Sequence, residues 1–415
     1  MTEVELADAV NDTTEYLTGK PGRMTDRQVR RLLTGEVRWP WPATRAALEA
    51  VLGQSCVELG FLPSARANRA PGGILRLEGP RGEDIMERRE LLGVAGGIAV
   101  SLMIPALPKR GRLGLSDVER LRKPLEDLLA IDERIGGVRL AEAAARQAQR
   151  IADAINRYDL ADRVERACYS LRGEYLATAG WLAVDADDLD TAGDYLSEAL
   201  EAASISGDPL LQAQVYNYMA MRSRQLRKYP DAHAIAKAGL KGAASRANPR
   251  VNALFHLRVA HGHGLRGEQG LARRSLQRAE DAFGRINPLT PVPAWLAFVD
   301  RQQVLALTAM TFNSLGDYTA ARGHAQSNFD QIPTTRIRGR AHGALHLVKA
   351  HLGADDVPAA LEHARIALPL AQQLREGLTT GRVARRMGHL RRILGQFHLR
   401  EAQNWCATYD QAIAA

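Results

Sequence analysis

The sequence predicts an all-α protein built mainly from helical hairpins that repeat along the chain. Three observations support this class. Small and apolar residues return at helical spacing through more than half of the chain, aromatic residues make up only 5% of the composition, and no stretch alternates Val, Ile and Thr as a half-buried strand would. With 415 residues, 46% hydrophobic and 25% charged, the chain is long enough for two or three domains with sizeable cores.

The repeat is clearest in the helix predicted between Asp187 and Ala203. From Ala192 as an anchor, Leu196 lies one turn and Ala199 two turns further along the same helix face. The same offsets select mainly small or apolar residues from four further anchors, at intervals of 40, 40, 49 and 39 residues: Ala232, Ala272, Ala321 and Ala360. Twelve residues before the five anchors stand small or aliphatic residues: Gly180, Ala220, Ala260, Ala309 and Val348. This spacing predicts that the two helices of each hairpin cross closely.

Five hairpins in succession predict a stacked superhelix, because one hairpin cannot bury its apolar stripe alone. The spacing of small residues, twelve and then seven, resembles that of the tetratricopeptide repeat, and the predicted repeat domain covers residues 135–415. The third interval is longer because a loop with three prolines is inserted between Ile286 and Trp295. The alternative is a generic helical bundle with chance alanine spacing.

Residues 1–63 are predicted to form a small helical domain. Helices are expected from Val4 to Leu17, after a Thr25 cap as far as Leu33, and across residues 43–52. The third helix is expected to bury four residues: Ala46, Leu48, Val51 and Leu52. Residues 23–45 carry six arginines against two acids, which favours an acidic partner such as nucleic acid.

The segment TDRQVRRLLTGEVRWP, followed by RAALEAVLG, resembles the recognition helix, turn and next helix of the xenobiotic-response-element class of bacterial helix-turn-helix regulators. The resemblance implies double-stranded DNA as a partner and a recognition helix in the major groove. It implies base-edge contacts by Thr25, Arg27 and Gln28, and phosphate contacts by Arg30, Arg31 and Arg38. A homodimer is expected because half-sites lie on a two-fold axis. The alternative is that these arginines form the solvated face of a helical cap on the repeats.

Residues 64–134 are predicted to be a linker followed by apolar connector helices. The stretch from Ser64 to Arg89 is rich in Arg, Gly and Pro, and the 17 residues from Leu91 to Leu107 carry no charge. That run is internal, short, and interrupted by three glycines and a proline, so we expect a buried connector and neither an export signal nor a membrane span.

In tetratricopeptide arrays the first helix of each hairpin lines the concave face, and the resemblance therefore implies a groove for a peptide or small-molecule signal. Its predicted lining consists of polar residues spaced along the first helices: Gln214, Asn217, Tyr218, Arg258, His261 and Gln303, with Glu174, Thr178, His342 and His346 on the same face. The alternative is a polar concave face that only solvates the array.

Nothing in the sequence indicates catalysis, and we expect no enzyme, no cofactor and no metal site. No phosphate-binding glycine loop or nucleophile motif occurs, His261 and His263 lie on different helix faces, and DADDLD at residues 185–190 is expected to be a solvated turn. The arginine-rich segment GRVARRMGHLRRIL at residues 381–394 is interpreted as the solvated cap of the last repeat, with a second acidic-partner contact as the alternative.

Together these patterns favour a cytoplasmic transcriptional regulator. In this interpretation a ligand or peptide in the repeat domain controls DNA binding by residues 1–63, which we call the head. Three cysteines without paired spacing are consistent with a reducing compartment. The alternative is a protein-interaction adaptor with a degenerate DNA-binding head. The helix-turn-helix class usually has a further helix ahead of the one matching Glu5 to Val10, which is the reason for keeping this alternative.

Overall fold

The computed structural model describes residues 2–61 with short gaps, residues 113–374 except residue 136, and residues 381–414. Every regular element among these residues is helical, which confirms the all-α prediction. The chain divides into two compact units, Met1–Val100 and Ser101–Ala415. Residues 62–112, which include most of the predicted linker and the uncharged run, lie outside the described residues. Within the described part, no helix is long and apolar enough to cross a membrane.

The first unit contains three described helices, α1 (Glu3–Thr18), α2 (Asp26–Leu33) and α3 (Pro42–Leu52), close to the predicted bounds. Helix α1 packs against both others around a small core that consists of Leu6, Ala7, Val10, Val29, Ala47, Leu48 and Cys56. The prediction that Ala46 is buried is wrong, because Ala46 is exposed and Ala47 enters the core. The other three predicted residues, Leu48, Val51 and Leu52, do pack in or against this core.

One asparagine fixes the segment that leads into α2. The side-chain amide of Asn11 donates to the Met24 carbonyl at 2.8 Å, and its Oδ1 accepts from the Met24 amide at 2.6 Å. Gly22 passes so close that a Cβ there would lie 2.4 Å from Asn11 Cα. Only glycine fits this close approach of two backbones.

The second unit begins with two long helices, α4 (Leu115–Ile135) and α5 (Gly137–Arg157). Five hairpins follow: α6 (Asp162–Asp185) with α7 (Leu189–Ser206), α8 (Pro209–Gln225) with α9 (Tyr229–Lys241), α11 (Pro249–Leu265) with α12 (Gln269–Gly284), α13 (Arg301–Leu315) with α14 (Tyr318–Gln331), and α15 (Ile337–Gly353) with α16 (Val357–Gln373). The remaining elements are the short α10 (Ala243–Ala247), a 3₁₀ turn (Ala294–Leu296), α17 (Gly381–Leu394) and α18 (Arg400–Ala414). The first helix of each hairpin also packs against the first helix of the next.

The small-residue positions of the repeat lie at the hairpin contacts. Four of the five anchors are buried, Ala232 is partly buried, and the five residues twelve positions earlier are all buried. At Gly180 the two helices cross closely, since a Cβ there would lie 2.7 Å from Leu196 Cγ. The close approach of the two helices at this point, predicted from the spacing, is therefore present.

The five hairpin turns share one backbone conformation. The residue five positions before each anchor has a positive φ of 58–77°: Asp187, Arg227, Gly267, Gly316 and Asp355. In every turn the next amide donates to the carbonyl five residues back, as Asp188 does to Ala183 at 3.0 Å and Asp356 to His351 at 2.9 Å. This hydrogen bond closes the first helix in the Schellman manner and starts the second helix in a fixed direction.

The inserted loop between α12 and α13 packs inward. Trp295, Leu296 and Val299 are buried against Leu254 and Phe255 of α11. An extra 3₁₀ turn therefore fills the space beside α11, and the longer third interval is accommodated without interrupting the order of the hairpins.

Candidate ligand site and DNA-contact surface

The predicted DNA-reading helix, α2, presents a polar outer face. Val29 is buried and fixes the helix on the core, whereas Arg27, Gln28 and Arg31 are exposed. Thr25 and Gln28 form a capping box, in which Thr25 Oγ1 accepts from the Gln28 amide at 3.4 Å and Gln28 Oε1 accepts from the Thr25 amide at 3.0 Å. Two of the three residues predicted to contact base edges, Thr25 and Gln28, therefore already serve as caps in the free protein.

The predicted phosphate-binding residues differ in their surroundings. Arg30 is bonded to Glu3 of α1 through two nitrogens, at 3.1 Å from Nε and 2.6 Å from Nη2 to Oε2. The hydrogen bond from Arg30 lowers the pKa of Glu3. Both side chains reach solvent, so the pair is weak and a phosphate could replace the carboxylate. Arg38 lies outside the described residues.

In the second unit, polar side chains of the first helices meet on one side. Arg258 Nε of α11 donates to Asn217 Oδ1 of α8 at 3.0 Å. Tyr218 stacks on Trp181 of α6 with ring centroids 5.5 Å apart. The structure thus joins Asn217 and Arg258 of two hairpins, which the concave-face prediction placed on the same surface, whereas Trp181 was not among the predicted residues.

Burial separates the predicted groove residues into two groups. Five are buried, with 0–8% of their surface exposed: Gln214, Asn217, Tyr218, Arg258 and His261. Gln303 is partly buried in the first turn of α13, and no hydrogen bond among the described residues joins its side chain to the other five. The five buried residues form the floor of the surface, and a ligand would first meet the half-buried side chains around them.

The aspartate at the end of α6 is the centre of an ion-pair network. Asp185 is buried, and it pairs with Arg382 Nη2 of α17 at 2.5 Å and with Arg338 Nη1 of α15 at 3.3 Å. Burial alone would raise the pKa of Asp185, but the charges of Arg382 and then Arg338 outweigh burial and lower it. The interpretation of this segment as a solvated turn is wrong for Asp185, because two cations from distant hairpins draw its carboxylate inward.

Helix α17 is held across the first two hairpins. Besides the bond to Asp185, Arg382 lies 4.8 Å above the Trp181 ring. Arg385 donates to Gln225 Oε1 at 2.6 Å and pairs with Asp187 at 2.7 Å. The interpretation of the arginines of α17 as a solvated cap is therefore wrong for Arg382, whereas the predicted buried stripe of α17 is confirmed: Val383, Met387, Leu390 and Leu394.

Next to this network lie four cations that have no carboxylate partner among the described residues. We call Arg224, Arg258, Arg386 and Lys349 the cationic cluster. Burial, and then the neighbouring arginine charges, lowers the pKa of Arg224 to about 10 and those of Arg258 and Arg386 to about 9. The same causes lower the pKa of Lys349. The three arginines remain positively charged at pH 7, and their charges repel one another.

The cluster is enclosed by protein and still reachable from solvent. Arg224 and Arg386 are only half-buried by surface area, and Lys349 is exposed, although burial depresses the pKa of each. The cluster therefore lies partly below the protein surface, where water still reaches Arg224, Arg386 and Lys349. The histidines beside the cluster, His342 and His346, have pKa values well below the usual range, caused by burial and then by Arg382 or Arg386, and they are neutral at pH 7.

Several buried polar atoms around the cluster have no hydrogen-bond partner among the described residues: Thr178 Oγ1, Gln214 Oε1, Asn217 Nδ2, Arg224 Nε and His342 Nε2. Unpaired buried polar atoms are uncommon in folded proteins and costly, so these five atoms are available to a polar ligand beside the cationic cluster.

Sequence reasoning placed Asn217 and Arg258 on one surface, where they are bonded to each other, but it did not include Arg224 or Lys349. Arg224 lies seven residues after Asn217 on α8, so continuing the face by two turns would have included it. Asp185 and Arg382 are 197 residues apart, and no local pattern could have paired them. Comparison with family models and with curated proteins found no match.

Proposed function

We propose that the chain is a cytoplasmic DNA-binding transcriptional regulator, in which a tetratricopeptide-like superhelix binds a small ligand or peptide and thereby controls a helix-turn-helix head. Five hairpins with the same small-residue contacts and the same turn support the repeat assignment. An exposed polar face on a capped helix of eight residues, with Arg27 and Arg31 outward, supports the DNA-binding assignment.

The observation that carries the sensing part is the convergence of unpaired polar and cationic groups from α6, α8, α11, α15 and α17. These helices belong to different hairpins, so a ligand that touches several of them would favour one superhelical curvature over another. In a homodimer a change in curvature would alter the spacing of the two heads, and with it their fit to two half-sites.

A second function is favoured by one observation in the head. Thr25 and Gln28 use their polar groups for the helix cap, and Arg30 pairs with Glu3. A head whose DNA-reading groups are engaged internally fits an adaptor in which only the repeat surface binds a partner.

Selection of bound fragments from genomic DNA with the purified full chain distinguishes the two functions. A regulator enriches fragments with a shared motif, arranged as two half-sites about 34–36 Å apart or a multiple of that distance. The double variant Arg27→Ala/Gln28→Ala serves as the control and should lose the enrichment. Equal recovery with both proteins would favour the adaptor.

A further inference from the structure

We propose that the cationic cluster is a binding site for a small phosphate-bearing ligand that carries at least two negative charges. This inference deepens the proposed ligand-sensing function and rests on it, since it names the chemical class of the ligand. It stands on three observations: uncompensated charge, convergence of donors, and the enclosed position of the cluster.

The charge around the cluster is strongly unbalanced. Two carboxylates, Asp185 and Asp187, face seven cations, so five positive charges are in excess: the cations are Arg224, Arg258, Arg338, Arg382, Arg385, Arg386 and Lys349. Enclosed like charges destabilise a fold unless an anion joins them. A phosphate ester or diphosphate supplies two or more negative charges on one compact group.

The donors come from different helices and meet in one place. Arg224 is on α8, Arg258 on α11, Lys349 on α15 and Arg386 on α17, and the charge of Arg224 depresses the pKa of the other three. Arg258 and Arg386 are oriented by bonds to Asn217 and His342, at 3.0 Å each, which leaves further guanidinium N–H groups for an anion. Such preoriented forks match the tetrahedral oxygens of phosphate.

The enclosed position favours a small ligand over other polyanions. A DNA duplex presents its phosphates on the outside of a wide cylinder, and such a cylinder cannot reach Arg258, which is only 8% exposed. An acidic peptide carries one charge per residue along an extended chain, with side chains about 3.3 Å apart. Donors from four helices that meet at one position suit a compact group instead.

Isothermal titration calorimetry of the full chain with inorganic pyrophosphate tests the inference, at constant ionic strength set with KCl. We expect saturable binding, and we expect Arg224→Gln/Arg386→Gln to weaken it by at least about tenfold, because hydrogen bonds to charged groups are lost. The control variant Arg274→Gln/Arg278→Gln removes two exposed arginines of α12 and should bind as the unmodified chain does.

Thermal unfolding shows whether a variant that no longer binds pyrophosphate is still folded. Without ligand, Arg224→Gln/Arg386→Gln should unfold at an equal or higher temperature than the unmodified chain, since repulsion is relieved, and pyrophosphate should stabilise only the unmodified and control proteins. Three results would overturn the inference. They are no heat of binding at millimolar pyrophosphate, an equal loss of pyrophosphate affinity in the control variant, and tighter binding of hexaglutamate than of pyrophosphate. None of these measurements involves DNA, so the inference can fail while the regulator function stands, and the reverse.

Discussion

The helix crossing at Gly180 can be tested by adding one methyl group. In Gly180→Ala, the new Cβ would lie 2.7 Å from Leu196 Cγ and 2.8 Å from Cδ2, about 1 Å inside a normal carbon–carbon contact. Leu196 is only 1% exposed, so it cannot swing into solvent. Overpacking of this kind costs about 1–3 kcal/mol, offset by about 1 kcal/mol from replacing glycine in a helix. The two effects together leave a loss of about 0–2 kcal/mol in the free energy of unfolding. Because Leu196 cannot move away, we expect a loss of about 1–2 kcal/mol.

The matched control is Gly323→Ala in α14, where an added Cβ meets nothing within 4 Å. This variant should be as stable as the unmodified chain or up to about 1 kcal/mol more stable. Urea unfolding followed by circular dichroism measures both variants, and their difference of about 1–3 kcal/mol isolates the crossing. In a double-mutant cycle, Leu196→Ala should remove most of the effect of Gly180→Ala. Equal stability of the two alanine variants would refute the close crossing.

Three further predictions concern the turns, the ion-pair network and the head. Arg227→Gly should raise the free energy of unfolding by about 1 kcal/mol, because Arg227 has a φ of 61° and glycine adopts a positive φ without strain. Gly267→Ala at the equivalent turn should lower the free energy of unfolding by a similar amount, and urea unfolding measures both variants. Asp185→Asn should destabilise the repeat unit by about 3 kcal/mol near pH 7, because it leaves two enclosed arginines uncompensated, as thermal unfolding at several pH values would measure. Gln28→Ala should relax the sequence preference for DNA, at a cost of about 1–3 kcal/mol per lost base contact. Arg30→Ala should weaken binding to all DNA and flatten the salt dependence of binding, and fluorescence anisotropy measures both variants.

The pH dependence of the Asp185 network has a defined sign. The pKa of Asp185 is lower in the folded chain than in the unfolded chain, so its contribution is complete above the ordinary aspartate pKa of about 3.9 and is lost as the pH falls below that value. The gap between the unmodified chain and Asp185→Asn should therefore close in acid. The control Asp410→Asn removes an exposed pair with Arg391 and should cost less than about 1 kcal/mol. An equal loss in both variants would contradict a special role for Asp185.

The ion pair between Arg30 and Glu3 offers a control for the predicted effect of Arg30→Ala on DNA binding. Glu3→Gln releases Arg30 from its carboxylate partner and should strengthen DNA binding without altering sequence preference. If Glu3→Gln and Arg30→Ala had the same effect on affinity, Arg30 would act through the stability of the head and not through phosphate.

Local patterns predicted the helices well, because small-residue spacing and caps are properties of short segments. The anchors from Ala192 to Ala360 and the Thr25 cap are of this kind. The shared turn conformation was missed, because its positions hold Asp, Arg, Gly, Gly and Asp, and only two of the five are the glycine that usually marks such a turn.

The candidate site could be predicted only in part, because it depends on contacts between distant segments. Helical spacing placed Asn217 and Arg258 on inner faces, and they are bonded to each other. Spacing does not show how deeply a side chain is buried, so it did not distinguish a solvated groove from a buried polar surface. It also could not show that Arg382 crosses to Asp185, since that pairing follows from how the successive hairpins pack.

The central claim, that the head binds DNA through the outer face of α2, is tested most directly by fluorescence anisotropy. A fragment enriched from genomic DNA is titrated with the full chain and with Arg27→Ala/Gln28→Ala at several KCl concentrations. We predict that the unmodified chain binds more tightly than the variant and that its affinity falls steeply with salt, as phosphate contacts require. Equal affinity of the two proteins at every salt concentration would contradict the claim.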